Sequence, residues 1–197
     1  LFVSLAADPD LAGWTGMGFV VQAYQKRAPR VIDLLVALGR RRGRRLMVRL
    51  VKGAYWDSEI KRAQVDGQSD YPVFTRKAHT DLSYLVCAGR LLAAADTIFP
   101  QFATHNAHTL AAVVQMARAQ GRSDFEFQCL HGMGESLYDA VVGDGELSCR
   151  IYAPVGPHAT LLPYLVRRLL ENGANTSFVH RIVDLAVHVA ELLEPLP

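Results

Sequence analysis

Residues 49–57 read RLVKGAYWD, an apolar run of strand length that stops in a glycine, a small residue, two aromatic rings and a carboxylate. Leu46, Met47, Val48, Leu50 and Val51 supply the near-continuous apolar pattern of a strand covered on both faces, and Arg49 breaks it. A guanidinium cannot shed its charge, so inside such a strand it needs a carboxylate, a phosphate or an electron-rich ligand to offset its lost hydration. The strand therefore reads as ending in a ligand site, with a structural ion pair to Arg49 as the plainer alternative. A second candidate set is YLVRRLLE at residues 164–171, where Arg167 and Arg168 are adjacent and Glu171 shares a helix face with each by i, i+4 and i, i+3 spacing. A surface salt bridge is the ordinary outcome of such spacing. The apolar Leu165, Val166, Leu169 and Leu170 around the arginines, and Tyr152 at the end of the preceding strand, point instead to capture of a substrate carboxylate, each charged hydrogen bond contributing about 1.5–3 kcal/mol.

Histidines form a third set. His105 and His108 make an HxxH, with His131 after the next strand and Glu135 nearby, and a metal-dependent barrel hydrolase places zinc ligands in this way. Against a metal, the strand ends carry few carboxylates. Gln22, Thr104, Asn106 and Gln128 are neutral hydrogen-bonding groups, which together with several arginines suit a polar heteroaromatic or phosphorylated organic cofactor better than a cation. Thr75-Arg76-Lys77, at the start of a helix-like segment, could hold a pyrophosphate through backbone N–H groups and cations, or could equally be a solvated helix start.

These residues need a scaffold that brings several strand ends together. Strand-like runs at 18–23, 46–51, 101–104, 125–130 and 149–153 alternate with helix-like stretches at 30–38, 81–95, 109–119, 135–142 and 160–172, and residues 56–80 read as an insertion. The alternation predicts an α/β fold with a parallel sheet and helical crossovers. An open doubly wound sheet would show a glycine-rich turn after its first strand, and no GxGxxG occurs. Polar residues instead follow several different strands, as in a barrel, and about five βα units in 197 residues predict a partial (β/α)8 TIM-like barrel, a complete one taking about 250 residues.

Composition bounds the rest. With 50% hydrophobic and 20% charged residues the chain is globular, and a net charge of +2 makes no general case for nucleic acid. Arg40, Arg41, Arg42, Arg44 and Arg45 cluster around Gly43, where cations suit a helix C-terminus and a solvated loop. Three widely spaced cysteines form no CxxC pair, which argues against a disulfide framework or a zinc knuckle. No apolar run approaches the roughly 18 residues of a membrane span. The chain lacks an initiating Met and opens in what reads as mid-domain sequence, so it is expected to be a piece of a longer protein, with residues 179–193 as a packing helix.

Five segments carry a family resemblance: RLVKGAYWD at 49–57, ATHN at 103–106, QCLHGMG at 128–134, RIYAPVG at 150–156 and YLVRRLLENG at 164–173. In this order they closely resemble the proline dehydrogenase domain of bacterial proline utilization A. The resemblance implies a distorted (β/α)8 barrel that binds FAD non-covalently, oxidises L-proline to pyrroline-5-carboxylate and passes the electrons to a membrane quinone. It implies that Arg167 and Arg168 clamp the proline carboxylate while Tyr152, Tyr55 and Leu130 pack the ring. Arg49 would sit against flavin N5, where fixed positive charge stabilises charge developing in hydride transfer. Gln22, Val51, Gly53, Trp56, Thr75, Lys77, Thr104, His105, Asn106, Gln128, Arg168 and Glu171 would hold the rest of the cofactor. Residues 1–178 would be the C-terminal portion of the barrel and 179–197 a trailing helix or linker toward a further domain, in the family a pyrroline-5-carboxylate dehydrogenase. A cytoplasmic protein with peripheral contact to the inner face of the membrane is also implied. An early-strand lysine and aspartate of the family have no counterpart here, and the loop before Arg150 is shorter. A non-catalytic scaffold is the third class, disfavoured by the joint presence of Arg49, Tyr152, Arg167, Arg168 and Glu171.

Overall fold

Thirteen short segments of regular structure follow one another: α1 (Phe2–Leu5), a 3-10 turn (Pro9–Leu11), β1 (Gly18–Gln22), α2 (Ala28–Arg42), β2 (Leu46–Val51), α3 (Trp56–Val65), α4 (Lys77–Ala93), β3 (Ile98–Ala103), α5 (Ala107–Ala119), β4 (Glu126–Leu130), α6 (Glu135–Val142), β5 (Ser148–Tyr152) and α7 (His158–Gly173). They belong to a computed structural model that describes residues 1–142, 145 and 147–173, and the side chains of all of these except 136 and 169–173. The expected tail helix at 179–193 lies outside the described residues. All five strands are parallel and pair in chain order, β1-β2-β3-β4-β5. A parallel neighbour can be reached only by a crossover, and α2, α4, α5 and α6 lie in those connections.

Side-chain alternation divides the sheet into two unlike faces. Leu46, Val48 and Leu50 of β2 are essentially inaccessible and pack in one core with Ile32 and Leu35 of α2 and Tyr84, Cys87 and Leu91 of α4. Each such side chain contributes about 1.5–3 kcal/mol by leaving water. The opposite face of the same strands carries Arg49, Gln101, Glu126, Gln128 and Arg150, placed side by side by the registers Arg49↔Gln101, Gln101↔Glu126 and Gln128↔Arg150. Barrel interiors are ordinarily filled by layers of branched apolar side chains. This polar face is built for something other than packing.

Several boundaries differ from expectation. β3 begins at Ile98 rather than 101 because Pro100 lies inside it, and proline can donate no ladder bond. Pairing with β4 accordingly starts at Gln101, one residue past it. α4 begins at Lys77, four residues before the expected start, and α3 occupies part of the stretch that reads as an insertion. α2 runs to Arg42, four residues beyond the expected end at 38, and Gly43 closes it at φ 58°. Of the arginines around it, Arg40, Arg41 and Arg42 are exposed, but Arg44 donates to the Leu11 carbonyl and Arg45 to Asp124 and the Ile98 carbonyl. Those two brace the bottom of the sheet rather than lie in a solvated loop. Cys87, Cys129 and Cys149 are free thiols.

An aromatic cluster locks β3 and β4 to α6: the Phe127 ring lies 6.0 Å from Phe102, 5.6 Å from Phe125 and 6.0 Å from Tyr138. Phe127→Ala removes a fully buried ring and is expected to destabilise the full-length protein by about 3–5 kcal/mol. Urea unfolding checks this: the midpoint should fall with the slope unchanged.

Candidate active site at the strand ends

Arg49 is held by an amide and a ring. Its Nε donates to Gln128 Oε1 at 2.7 Å, reaching from β2 past β3 to β4, and its guanidinium is centred 4.8 Å over the Tyr152 ring of β5. A structural ion pair is therefore not what accommodates this charge among the described residues. Stacking a partly desolvated guanidinium on an aromatic face contributes about 1–2 kcal/mol. Leu130 is buried and in register with Tyr152, while Gln22 stands opposite Val51 on the same sheet face.

The loop after β2 makes a sharp, glycine-dependent turn. Gly53 has φ 131°, and a Cβ there would lie 2.6 Å from the Tyr24 ring, so both the backbone and the close approach exclude a side chain. The turn delivers Tyr55 as the N-cap of α3 and Trp56 as its first residue, with Asp57 in the first turn. Arg167 of α7 lies 4.9 Å over the Tyr55 ring, and Arg168 lies 5.6 Å over that of Tyr164. Both arginines are partly buried. The side chain of Glu171 lies outside the described residues. Trp56 Nε1 donates to the Phe74 carbonyl at 2.8 Å, and Phe74 N donates to the Tyr24 carbonyl at 2.8 Å, which seats the start of α4 beside the ends of β1 and β2.

Lys52 and Lys77 converge on Asp81, which is only 3% exposed. Burial alone would push the Asp81 carboxyl up, but the hydrogen bonds from the two lysines outweigh it and hold the group below its ordinary value. Thr75 is exposed, and the N-cap of α4, Arg76, makes no side-chain cap bond. The first N–H groups of α4 thus point at the region reached by Thr75 and Lys77 with no side chain capping them.

The residues after β3 have local structural tasks. Asn106 caps α5, its Oδ1 accepting from Thr109 N at 2.8 Å, and Thr104 Oγ1 accepts from Asn106 N at 3.1 Å. His105 Nε2 accepts from Leu130 N at 3.0 Å, which fixes the neutral tautomer with its proton on Nδ1. Burial first, then the charges of Arg168 and Arg49, push His105 down to about 4. His131 points elsewhere: it is 72% exposed, with Nδ1 3.2 Å from Glu135 Oε1. The histidines do not converge, and no group of three or more His, Cys, Asp or Glu side chains able to hold a metal exists among the described residues. The metal-hydrolase alternative is not supported, because its leading ligand is already engaged by a backbone amide.

Residues 1–181 match the family described as Proline dehydrogenase. The chain belongs to the proline dehydrogenase family. It is 64% identical over 199 residues to the Bifunctional protein PutA of Escherichia coli strain K12, covering 98% of this chain and 15% of that protein. It is 63% identical to the Rhizobium meliloti protein of the same name, covering 96% of this chain and 16% of that one. Among solved structures, it matches a Bradyrhizobium japonicum Proline Utilization A mutant at TM-score 0.92 and 60% identity, covering 98% of this chain and 20% of that chain. Proline utilization A from Bdellovibrio bacteriovorus, inactivated by N-propargylglycine, matches at TM-score 0.90 and 39% identity, covering the same shares of each chain. The five strands and their crossovers are thus part of a TIM-like barrel of the proline dehydrogenase type.

Glu126, Gln101, Arg150 and Asp81 belong to the site's surroundings and were not anticipated. Their signals were present: Glu126 and Arg150 stand two residues before Gln128 and Tyr152, hence on the same strand face, and Asp81 stands four residues after Lys77 on one helix face.

Gly53→Ala is expected to lower stability by about 2–5 kcal/mol through strain and overpacking. Gly67→Ala, at φ 61° in open space, should lose only about 1 kcal/mol. Chemical denaturation of the two variants checks the difference. His105, depressed from 6.5 to about 4, stabilises the fold fully above pH 6.5, and that contribution is lost as pH falls toward 4, up to about 3 kcal/mol. The fall in Tm across this window should be shallower in His105→Gln, whose amide oxygen can still accept from Leu130 N; equal slopes would show that His105 titrates normally.

Proposed function

We propose that the protein containing this chain oxidises L-proline to pyrroline-5-carboxylate using FAD, at the cytoplasmic side of a membrane whose quinone accepts the electrons. The observation that carries the proposal is the pairing of two tyrosines, one ending β5 and one in the loop after β2, with two guanidiniums from different elements, Tyr152 with Arg49 and Tyr55 with Arg167. Membership of the family supports the reaction, and the name of the relatives supports a bifunctional protein in which a pyrroline-5-carboxylate dehydrogenase follows. No described helix is long and apolar enough to cross a membrane. The Bdellovibrio relative is inactivated by N-propargylglycine, a secondary amine bearing a carboxylate, which is the chemistry an arginine pair beside tyrosines would recognise.

The residues present fit a flavin nucleotide. Gln22, Gln128 and Asn106 offer neutral amides, and the start of α4 offers N–H groups with Lys77 alongside. Trp56, Thr75, Thr104, His105, Val51 and Glu171 would complete the cofactor contacts. The flavin supplies a hydride acceptor. Arg167 and Arg168 bind and orient the substrate carboxylate, Tyr55, Tyr152 and Leu130 pack the pyrrolidine ring and exclude water, and Arg49 places a permanent positive charge where negative charge develops.

Full-length protein should show a flavin absorption spectrum that is bleached by proline under anaerobic conditions, and colourless protein would sink the proposal. Arg167→Met should raise KM for proline about 10- to 100-fold with kcat nearly kept, whereas Arg49→Met should mainly slow flavin reduction. If both variants changed only flavin retention, the division of roles would be wrong.

A further inference from the structure

We propose that Glu126 is a positioning residue that orients Gln128 toward Arg49 and, together with Arg150, sets the net charge the flavin meets, an inference that rests on the flavin reading above. Glu126 is 5% exposed and stands in the polar face of β4. Its Oε1 accepts from Arg150 Nε at 2.9 Å, Gln101 Nε2 at 2.8 Å and Gln128 Nε2 at 2.8 Å, and its Oε2 accepts from an Arg150 terminal nitrogen at 2.9 Å. Four donors are what a buried carboxylate needs to remain charged, and they hold its carboxyl below the ordinary value despite burial.

A carboxylate only accepts. It therefore forces the Gln128 amide to present Nε2 toward Glu126 and leaves Oε1 for Arg49 Nε at 2.7 Å. An apolar residue at position 126 would leave that amide free to turn its N–H groups on Arg49, replacing an attraction by a repulsion. The chain Arg150–Glu126–Gln128–Arg49 thus runs across three strands and ends on the guanidinium that also stacks on Tyr152. Its charges alternate. Glu126 lies within about two strand spacings, roughly 10 Å, of Arg49, and its carboxylate is buried, so it offsets part of that positive charge, and the more exposed Arg150 offsets Glu126 in turn.

The test is the midpoint potential of the flavin in the full-length flavoprotein, measured by spectroelectrochemistry. Glu126→Gln, which keeps the shape and removes a negative charge, should raise the potential. Arg150→Met, which leaves the carboxylate without its neutralising partner, should lower it, and Arg150→Lys should stay near the unsubstituted value because the charge is retained. Opposite shifts from the two charge-removing variants support the proposal. Unchanged potentials, or shifts in the same direction, in proteins that still hold flavin and are still reduced by proline overturn it while leaving the proposed function intact. If Glu126→Gln does not fold, the direction of the Arg150→Met shift, read against Arg150→Lys, decides alone. Absence of flavin from the unsubstituted protein overturns both.

Discussion

A guanidinium that cannot be neutralised, placed in the middle of a parallel strand, is the constraint on which the site turns. Arg49 has apolar neighbours on β2 in both directions, and its lost hydration has to be replaced by groups from other strands. The two that do so, Gln128 and Tyr152, lie on β4 and β5, so the register of three strand pairs must be right before the charge is accommodated. A slip of one residue in β4 would send Gln128 and Glu126 into the apolar core and bring Phe127 onto the polar face. Stability and function are therefore tied to the same alternation: Val48 and Leu50 anchor the strand to α4, and that anchoring fixes the direction in which Arg49 points.

Much of this was readable from residue patterns, and the misses have physical causes. The bounds of β2 agree with the sequence expectation because six consecutive residues of strand character, Leu46–Val51, are followed two residues later by Gly53, whose φ of 131° turns the chain away. The start of β3 was hidden by Pro100, which normally argues against an interior strand but is accommodated where the β4 ladder has not yet begun. α3 was hidden because WDSEIKRAQV is largely polar, and such a stretch reads as loop when its few apolar contacts come from one face. Arg49, Gln128 and Tyr152 stood out as chemistry-bearing, but the residues that orient them did not. Glu126 interrupts an apolar strand just as Arg49 does, yet an acidic residue among Phe125, Phe127 and Cys129 looks like a strand-edge solvating group until the arginine that satisfies it, 24 residues away, is known.

The loop after β2 shows how a site can be assembled from close backbone approach. Gly53 lets the chain pass over the Tyr24 ring, and that passage turns Tyr55 toward Arg167 and Trp56 toward the Phe74 carbonyl. Lys52, three residues before Tyr55, is tied to Lys77 of α4 through the shared, buried Asp81. The carboxylate holds both ammonium groups at the start of α4, beside N–H groups that no side chain caps, so the ordering cost of this cluster is met in folding.

The charges of this site also share an unusual insensitivity to pH. Arg49, Arg167 and Arg168 carry guanidinium charges that cannot be shed. His105, the one imidazole among them, is kept neutral by burial and by the same arginines, down to about pH 4. Glu126 and Asp81 are held as carboxylates by their cationic partners. Arg49, Arg167, Arg168, His105, Glu126 and Asp81 therefore keep one charge state around neutral pH. A protonatable histidine at position 105 would add a positive charge beside Arg168 and remove the acceptor for Leu130 N at once. Depressing its pKa removes that coupling, so the arginine framework and the Leu130 amide that donates to His105 keep the same electrostatics as pH falls through the ordinary histidine range.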